Sequence, residues 1–177
     1  MARLFFALWP DAAARAALGR LAAEVSSRTG GRPVAAAKLH LTLVFLGEVD
    51  PARIPALASA AQGVAAEAFD LALDRLGAFA RARVAWAGCE RPPEKLLAMQ
   101  AQLERRVRDA GFAPDDRPYA AHLTLARRAR APLAPERVDP VTWRVATFAL
   151  VESVPGEGTY RTLAEWALEP EKTKGRA

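Results

Sequence analysis

The chain has 177 residues, of which 51% are hydrophobic and 25% are charged. This length predicts one domain or two closely joined lobes, and the composition excludes a disordered or collagen-like chain. A single cysteine, Cys89, excludes an internal disulfide, a cysteine-based zinc site and an iron–sulfur cluster. The two histidines limit any histidine chemistry to one site.

The charge balance is positive, because 25 Lys and Arg stand against 20 Asp and Glu, a difference of 25 − 20 = +5. Twenty-one of these cations are arginines, which bind phosphate oxygens in pairs and favour a phosphate-bearing partner. A genome rich in G and C would give the same number of arginines without any functional reason. Net charge concerns partners rather than fold, so charge alone leaves both explanations open.

The sequence predicts no targeting or membrane segment. The apolar run at residues 3–9 is too short for a secretion signal and is interrupted by Pro10 and Asp11. No stretch approaches the roughly 18 apolar residues that a membrane helix needs. Together with the single cysteine, this favours a soluble protein in the reducing cytoplasm.

Hydrophobic periodicity and turn residues predict alternating strands and helices in the first half of the chain. The predicted elements are a buried strand at 3–9, a helix capped by Asp11 and ended by Gly30, a strand at 38–46 stopped by Gly47, and a helix that begins at Asp50 and Pro51.

The second half continues with strands, one clear helix and loops. The predicted elements are paired strands at 69–74 and 81–86, a helix from Pro92 to Gly111, a polar loop at 113–118, a strand at 122–125, a proline-rich loop (Pro132, Pro135, Pro140), and apolar runs at 141–151 and 160–168. We therefore predict an α+β chain with a mixed or antiparallel sheet. Residues 1–168 are expected to form one domain, and residues 169–177 a flexible tail.

One tetrapeptide, His-Leu-Thr-Leu, occurs twice, at residues 40–43 and 122–125, and contains both histidines of the chain. In a strand, alternate side chains share a face, so each copy presents a histidine and a threonine on one face and two leucines on the other. On a helix, residues two apart lie about 200° apart and would not meet at one ligand. Leu, Thr, Val and Phe around the first copy favour the strand.

Two imidazoles and two hydroxyls on facing strands are suited to acid–base chemistry on a phosphate. Histidine acts as acid or base near neutral pH, and a pair in opposite protonation states can take one proton and give another. Threonine hydroxyls can donate to the non-bridging oxygens of the phosphate. No acidic residue stands at metal-motif spacing around either histidine, which disfavours a metal site. The alternative is that both are ordinary strand histidines with backbone partners.

The repeated His-x-Thr-x motif resembles the signature of the two-histidine (2H) phosphoesterase superfamily. The surroundings are similar to bacterial and archaeal RNA 2′,3′-cyclic phosphodiesterases, also called 2′-5′ RNA ligases. The resemblance extends from Arg3 to about Leu168 and rests on these segments: 3–8, 31–34, 39–47, 117–119, the second motif, and Tyr160 with Leu163 and Trp166.

This resemblance implies a bilobal fold with a pseudo-twofold axis, in which two mixed or antiparallel sheets flank a central cleft and helices lie outside. It also implies metal-independent opening of an RNA 2′,3′-cyclic phosphate to a 2′-phosphate, without a cofactor. His40 would be the general acid and His122 the general base, while Thr42 and Thr124 would hold the phosphate. Ala121 departs from the family, which often has proline there, but this position only shapes the entry to the strand.

Four further residues are candidates for substrate binding. The family often has an arginine where Arg127 stands, whereas strand parity favours Arg128, if the strand extends that far. Lys38 shares the parity of His40, and Tyr119, like Phe6, Trp9 and Tyr160, could stack on a base. For each of the charged residues the alternative is a solvated turn, and for the aromatic residues it is a place in the core.

Two other functions stay open at this point. A non-catalytic RNA-end-binding protein would use the same cleft, although binding alone needs no proton transfer. A phosphodiesterase acting on another cyclic phosphate or on a 2′-5′ linkage would use the same motifs, because these address the phosphate and not the base. Reversible 2′-5′ RNA ligation is a further possibility for the same site. We expect a monomer.

Overall fold

The computed structural model describes residues 1–154 and 158–172. These residues form three α-helices, two 3₁₀ helices and nine strands. In the first half they are β1 (Ala2–Leu8), α1 (Ala12–Thr29), β2 (Arg32–Pro33), a 3₁₀ helix (Ala36–Lys38), β3 (Leu41–Val49), a 3₁₀ helix (Pro51–Arg53) and α2 (Ile54–Gln62). In the second half they are β4 (Phe69–Phe79), β5 (Val84–Gly88), α3 (Glu94–Asp109), β6 (His122–Arg127), β7 (Glu136–Val145), β8 (Thr147–Val154) and β9 (Thr159–Ala167).

The strands form one sheet in the order β7-β4-β5-β6-β3-β1-β8-β9, with the short β2 paired to β6. Neighbouring strands in this order are antiparallel. The two halves of the sheet meet where β3 and β6 pair, through Leu41 and Leu123 alone. This narrow junction confirms the predicted α+β, two-lobed architecture, with antiparallel half-sheets that are continuous through one residue pair.

The helices cross between the halves of the sheet. Helix α1 follows β1 but packs against β6 and β7 in the other half, whereas α3 follows β5 and packs against β3. Helix α1 begins as predicted, since the Asp11 carboxylate accepts a hydrogen bond of 2.8 Å from the amide of Ala14. It ends at Gly30, whose φ of 61° lies in the left-handed region. No helix among the described residues is long and apolar enough to cross a membrane.

The sheet has one face in the main core and a second face with a smaller apolar cluster. On β1, Leu4, Phe6 and Leu8 are fully buried in the main core with the helices. The alternate residues Phe5 and Ala7 pack on the opposite face with partners from β8. This second face carries the candidate site.

Several predicted boundaries are wrong. Lys38 lies in a 3₁₀ helix and β3 begins at Leu41, and Arg81 lies in the turn before β5, which begins at Val84.

Gly47 does not stop β3, which continues to Val49, because a left-handed φ of 66° at Gly47 lets the strand pass through an irregular register with β1. Pro140 does not lie in a loop but inside β7. There it is tolerated because β7 is an edge strand, and its pairing with β4 is irregular between Leu73 and Arg75.

Residues 169–172, the first part of the predicted tail, contact other parts of the fold. The backbone of Glu169 bonds to Ala66 and Ala68, with N···O distances of 2.9 and 2.8 Å. The Glu171 carboxylate pairs with Lys95 at 2.7 Å and with Arg144 at 2.9 Å, which connects α3 to β7. Residues 173–177 lie outside the described part of the chain, so their predicted flexibility stays a prediction.

Candidate active site

The two His-Leu-Thr-Leu motifs lie side by side at the junction of the half-sheets. Leu41 and Leu123 pair directly, and both are fully buried, as is Leu125. The histidines and threonines therefore face the opposite side of the sheet, as the period of a strand predicts. If this antiparallel register is extended by one residue on either side, Thr42 lies across from His122 and Thr124 lies across from His40.

Each histidine is oriented by a backbone carbonyl two residues earlier. Nδ1 of His40 lies 2.7 Å from the carbonyl oxygen of Lys38, and Nδ1 of His122 lies 2.7 Å from that of Ala120. A carbonyl only accepts, so Nδ1 carries the hydrogen in both rings. Nε2 is then the nitrogen that exchanges protons, and the two imidazoles are equivalent under the pseudo-twofold relation.

Both imidazoles are held neutral. Burial lowers the pKa of His40 to about 4, the Lys38 carbonyl opposes this, and the charge of Arg127 and electrostatic coupling to His122 lower the pKa further. Burial also lowers the pKa of His122, and Arg117 and Arg127 act in the same direction. An anion bound between the rings would offset these effects and raise both pKa values.

Aromatic side chains surround the imidazole of His40. Phe5 stacks on the ring at a centroid distance of 4.8 Å, and Tyr160 meets it edge-on at 5.3 Å. Trp9 lies at 5.5 Å. These contacts fix the plane of the ring and account for its burial.

The imidazole of His122 has a different aromatic neighbour. The Phe79 ring is perpendicular to it at a centroid distance of 4.9 Å, and Trp86 lies 5.6 Å from Phe79. The indole of Trp86 lies directly over Gly77 of β4, where a Cβ would come within 2.3 Å of the ring. Gly77 thus gives Trp86 the room to support Phe79, and through it His122.

Arg127 lies on the face of the sheet that carries the histidines, and the parity argument for Arg128 does not apply because β6 ends before that residue. A bulge in the β5–β6 pairing shifts the register between Ala85 and Trp86, so that Leu125 and Ala126 are buried in succession. This shift turns Arg127 toward the cleft, and its charge lowers the pKa of both histidines. Strand β6 ends at Arg127, and Arg128 has a φ of 57° in the following turn.

The other candidates lie on the two sides of the cleft. The ammonium of Lys38 is 5.8 Å from the centroid of the Tyr160 ring, next to His40. Tyr119 packs against the main core with its hydroxyl buried, and burial raises the pKa of that hydroxyl. Tyr119 therefore has the surroundings of a core residue, as does Phe6, which is fully buried.

Sequence reasoning missed Phe5 and Phe79, which touch the two histidines from β1 and β4. Their signal is weak, because aromatic residues are common in strands and only the strand order brings these two to the motifs. Within residues 1–154 and 158–172, no group of three His, Cys, Asp or Glu side chains is placed to hold a metal ion. Burial and the charge of Asp74 raise the pKa of the Cys89 thiol to about 11.

Replacing Arg127 by glutamine is expected to raise the pKa of both histidines, because the substitution removes a positive charge that disfavours their protonation. Imidazole titrations by NMR should show both midpoints at higher pH than in the wild type. Arg117→Gln is the matched control, since Arg117 lowers the pKa of His122 but is not among the causes for His40. Unchanged midpoints in Arg127→Gln would contradict this placement of the guanidinium.

Comparison with known proteins gives consistent results. The family model of LigT-like phosphoesterases matches residues 8–86 and 88–157. The RNA 2′,3′-cyclic phosphodiesterase of Escherichia coli K12 is 36% identical to this chain over 169 residues, covering 94% of this chain and 96% of that protein. The protein of the same name from Thermus thermophilus is 35% identical over 190 residues, with coverages of 99% and 94%.

Solved structures show the same similarity. The crystal structure of E. coli LigT complexed with 3′-AMP superposes with a TM-score of 0.85 at 35% identity, covering 94% of this chain and 98% of that one. A crystal structure of a Thermus thermophilus protein has a TM-score of 0.80 at 31% identity, with coverages of 96% and 100%.

Proposed function

This chain belongs to the LigT-like phosphoesterase family, and from that premise we propose that it is an RNA 2′,3′-cyclic phosphodiesterase whose acid and base are His40 and His122. The observation that carries this assignment is the pair of imidazoles on one face of the sheet, one directly before β3 and the other at the start of β6. Both are held by Nδ1, so that Nε2 of each is the nitrogen that exchanges protons. The two curated relatives described above are named for this activity, and the alignments with this chain cover most of their length.

The proposed reaction is an in-line displacement at phosphorus. Nε2 of His122 takes a proton from water, and the water oxygen forms the new bond to phosphorus. The bond from phosphorus to the 3′ oxygen breaks, and Nε2 of His40 gives that oxygen its proton. The product is a 2′-phosphomonoester with a free 3′-hydroxyl. Proton exchange with solvent then restores both histidines.

This mechanism needs a protonated His40 and a neutral His122 when substrate is bound. In the free site both are neutral near pH 7, because burial lowers both pKa values. The negative charge of the cyclic phosphate favours the protonated imidazole and raises the pKa of His40 toward the working range. We therefore expect the optimum of kcat/KM, which reports the free enzyme, at lower pH than the optimum of kcat.

Thr42, Thr124 and Arg127 are proposed to hold the non-bridging oxygens. The two hydroxyls flank the junction of β3 and β6 on the face of the histidines. The guanidinium of Arg127 is close enough to act on both imidazoles, and it supplies the positive charge that a phosphorane-like transition state favours. A 5′-hydroxyl in place of water would give a 2′-5′ linkage at the same site.

Incubation with an oligonucleotide that ends in a 2′,3′-cyclic phosphate tests this function. With EDTA present, we expect undiminished turnover to a 2′-phosphate, identified by ³¹P NMR, because the proposed acid and base are both side chains. Adding RNA with a free 5′-hydroxyl to the same assay tests ligation. Loss of turnover with the chelator, or a 3′-phosphate product, would contradict the mechanism. Binding of the RNA end without turnover would instead support a non-catalytic binder.

The remaining expectations concern the oligomeric state of the protein and its location in the cell. We propose that it acts in the cytoplasm, on the cysteine content given above, and that it acts as a monomer. Light scattering coupled to gel filtration tests the oligomeric state, with a mass near 19.0 kDa as the expected result.

A further inference from the structure

An exposed basic surface adjoins the His122 side of the cleft. It is built from the end of the β4–β5 hairpin, from β2 and from the turn after β6, and we call it the basic rim. Its members are Phe79, Arg81, Arg83, Arg32, Arg127, Arg128 and Arg130. All six arginines are exposed. Within residues 1–154 and 158–172, none of them takes part in an ion pair.

Backbone hydrogen bonds tie the three segments of the basic rim together. The amide of Ala129 donates to the carbonyl of Arg83 at 3.0 Å, and Nε of Arg83 donates back to the carbonyl of Ala129 at 3.1 Å. Arg127 pairs with Arg32 on one side and with Val84 on the other. These contacts hold like charges close together, which is costly unless an anion neutralises them.

The basic rim reaches the candidate active site at two points. The charge of Arg127 acts on both histidines. The Phe79 ring lies perpendicular to the His122 ring and is 38% exposed, which is unusual for a large apolar side chain in this protein. An exposed aromatic ring beside unpaired arginines is the combination that binds single-stranded nucleic acid, through stacking on bases and pairing with phosphates.

The opposite side of the cleft carries the aromatic residues around His40, and there the ammonium of Lys38 lies over the Tyr160 ring. Near the entry to β6, the Arg117 guanidinium is paired with Asp115. The basic rim thus groups six exposed arginines, none in an ion pair with a described residue, at the His122 side of the cleft.

We propose that the basic rim binds the body of the RNA, that is, the nucleotides that precede the terminal cyclic phosphate. Phe79 stacks on a base close to the terminus, and Arg81, Arg83 and Arg32 pair with successive backbone phosphates. This proposal rests on the proposed function for the chemical class of the ligand. The proposal adds two points to that function. It states along which side of the cleft the RNA runs, and it names the residues that distinguish RNA from a mononucleotide.

Binding of a labelled product RNA tests the proposal without turnover. The probe is a single-stranded RNA of about 12 nucleotides with a 5′-fluorescein and a terminal 2′-phosphate, titrated by anisotropy at several salt concentrations. Arg81→Glu is expected to weaken binding about tenfold and to reduce the salt slope, since each phosphate contact on a single strand contributes about 0.7 to that slope. Arg105→Glu is the matched control, because Arg105 is exposed on α3, which packs on the other half of the sheet.

Three results separate the possible outcomes. Weaker binding in Arg81→Glu but not in Arg105→Glu supports the basic rim. Equal weakening in both variants indicates attraction to net charge alone and overturns it, as does wild-type affinity in Arg81→Glu. Turnover by the wild type of an oligonucleotide that ends in a 2′,3′-cyclic phosphate is measured separately. Its absence would defeat the proposed function, whereas the binding comparison still decides the basic rim.

Discussion

Replacing His122 by asparagine is expected to lower kcat by about 10²- to 10⁴-fold, the usual contribution of a positioned general base. Asparagine can place an amide nitrogen near the position of Nδ1 and keep the hydrogen bond to the carbonyl of Ala120, but it has no group at Nε2. The substitution therefore separates the orienting hydrogen bond from the proton transfer. Steady-state hydrolysis of a 2′,3′-cyclic nucleotide gives the measurement.

His40→Asn should show a loss of the same size, because its carbonyl contact to Lys38 is the counterpart of the contact at Ala120. Thermal unfolding is the control in both cases. Each histidine is neutral near pH 7, because its pKa is lowered, so its loss removes no charge interaction that stabilises the fold at that pH. A folded variant that keeps wild-type kcat would show that its histidine is not part of the reaction.

Removal of one threonine hydroxyl is expected to have the next largest effect. In Thr124→Val, the β-branched shape suits the strand, but the donor to the phosphate is lost. A hydrogen bond to a charged group contributes about 1.5 to 3 kcal/mol, which corresponds to roughly 10- to 100-fold in kcat/KM. Kinetics with the same cyclic nucleotide measure this loss.

Thr42→Val should behave like Thr124→Val, because the two residues occupy equivalent places on β3 and β6. The matched control is Thr142→Val on the edge strand β7, where the threonine is exposed and outside the motifs. Activity in Thr142→Val should equal that of the wild type. If Thr124→Val were also fully active, the hydroxyl would have no part in holding the phosphate.

The central site follows from sequence because its signal is local. Period-two alternation in a strand assigns the histidines and threonines to one face and the leucines to the other, and Leu41 and Leu123 are buried as that rule predicts. The cap at Asp11 and the end of α1 at Gly30 are local in the same sense. Such features depend on a few neighbouring residues, which a sequence displays directly.

What the sequence does not reveal depends on distant parts of the chain. The bulge opposite Ala85 and Trp86 turns Arg127 toward the cleft, and no residue in the second motif predicts this bulge. Phe5 and Phe79 reach the histidines only because of the order of the strands. The lowered pKa of His40 is mainly an effect of burial, which is a property of the assembled site.

The pH dependence of kcat in the wild type and in the two asparagine variants tests the acid and base assignment most directly. The wild type should give a bell, in which the acid limb reports the base and the alkaline limb reports the acid. We predict that His122→Asn loses the acid limb, because the base that must be deprotonated is gone, and that His40→Asn loses the alkaline limb. A bell that persists in both variants, or limbs lost in the opposite order, would contradict the account.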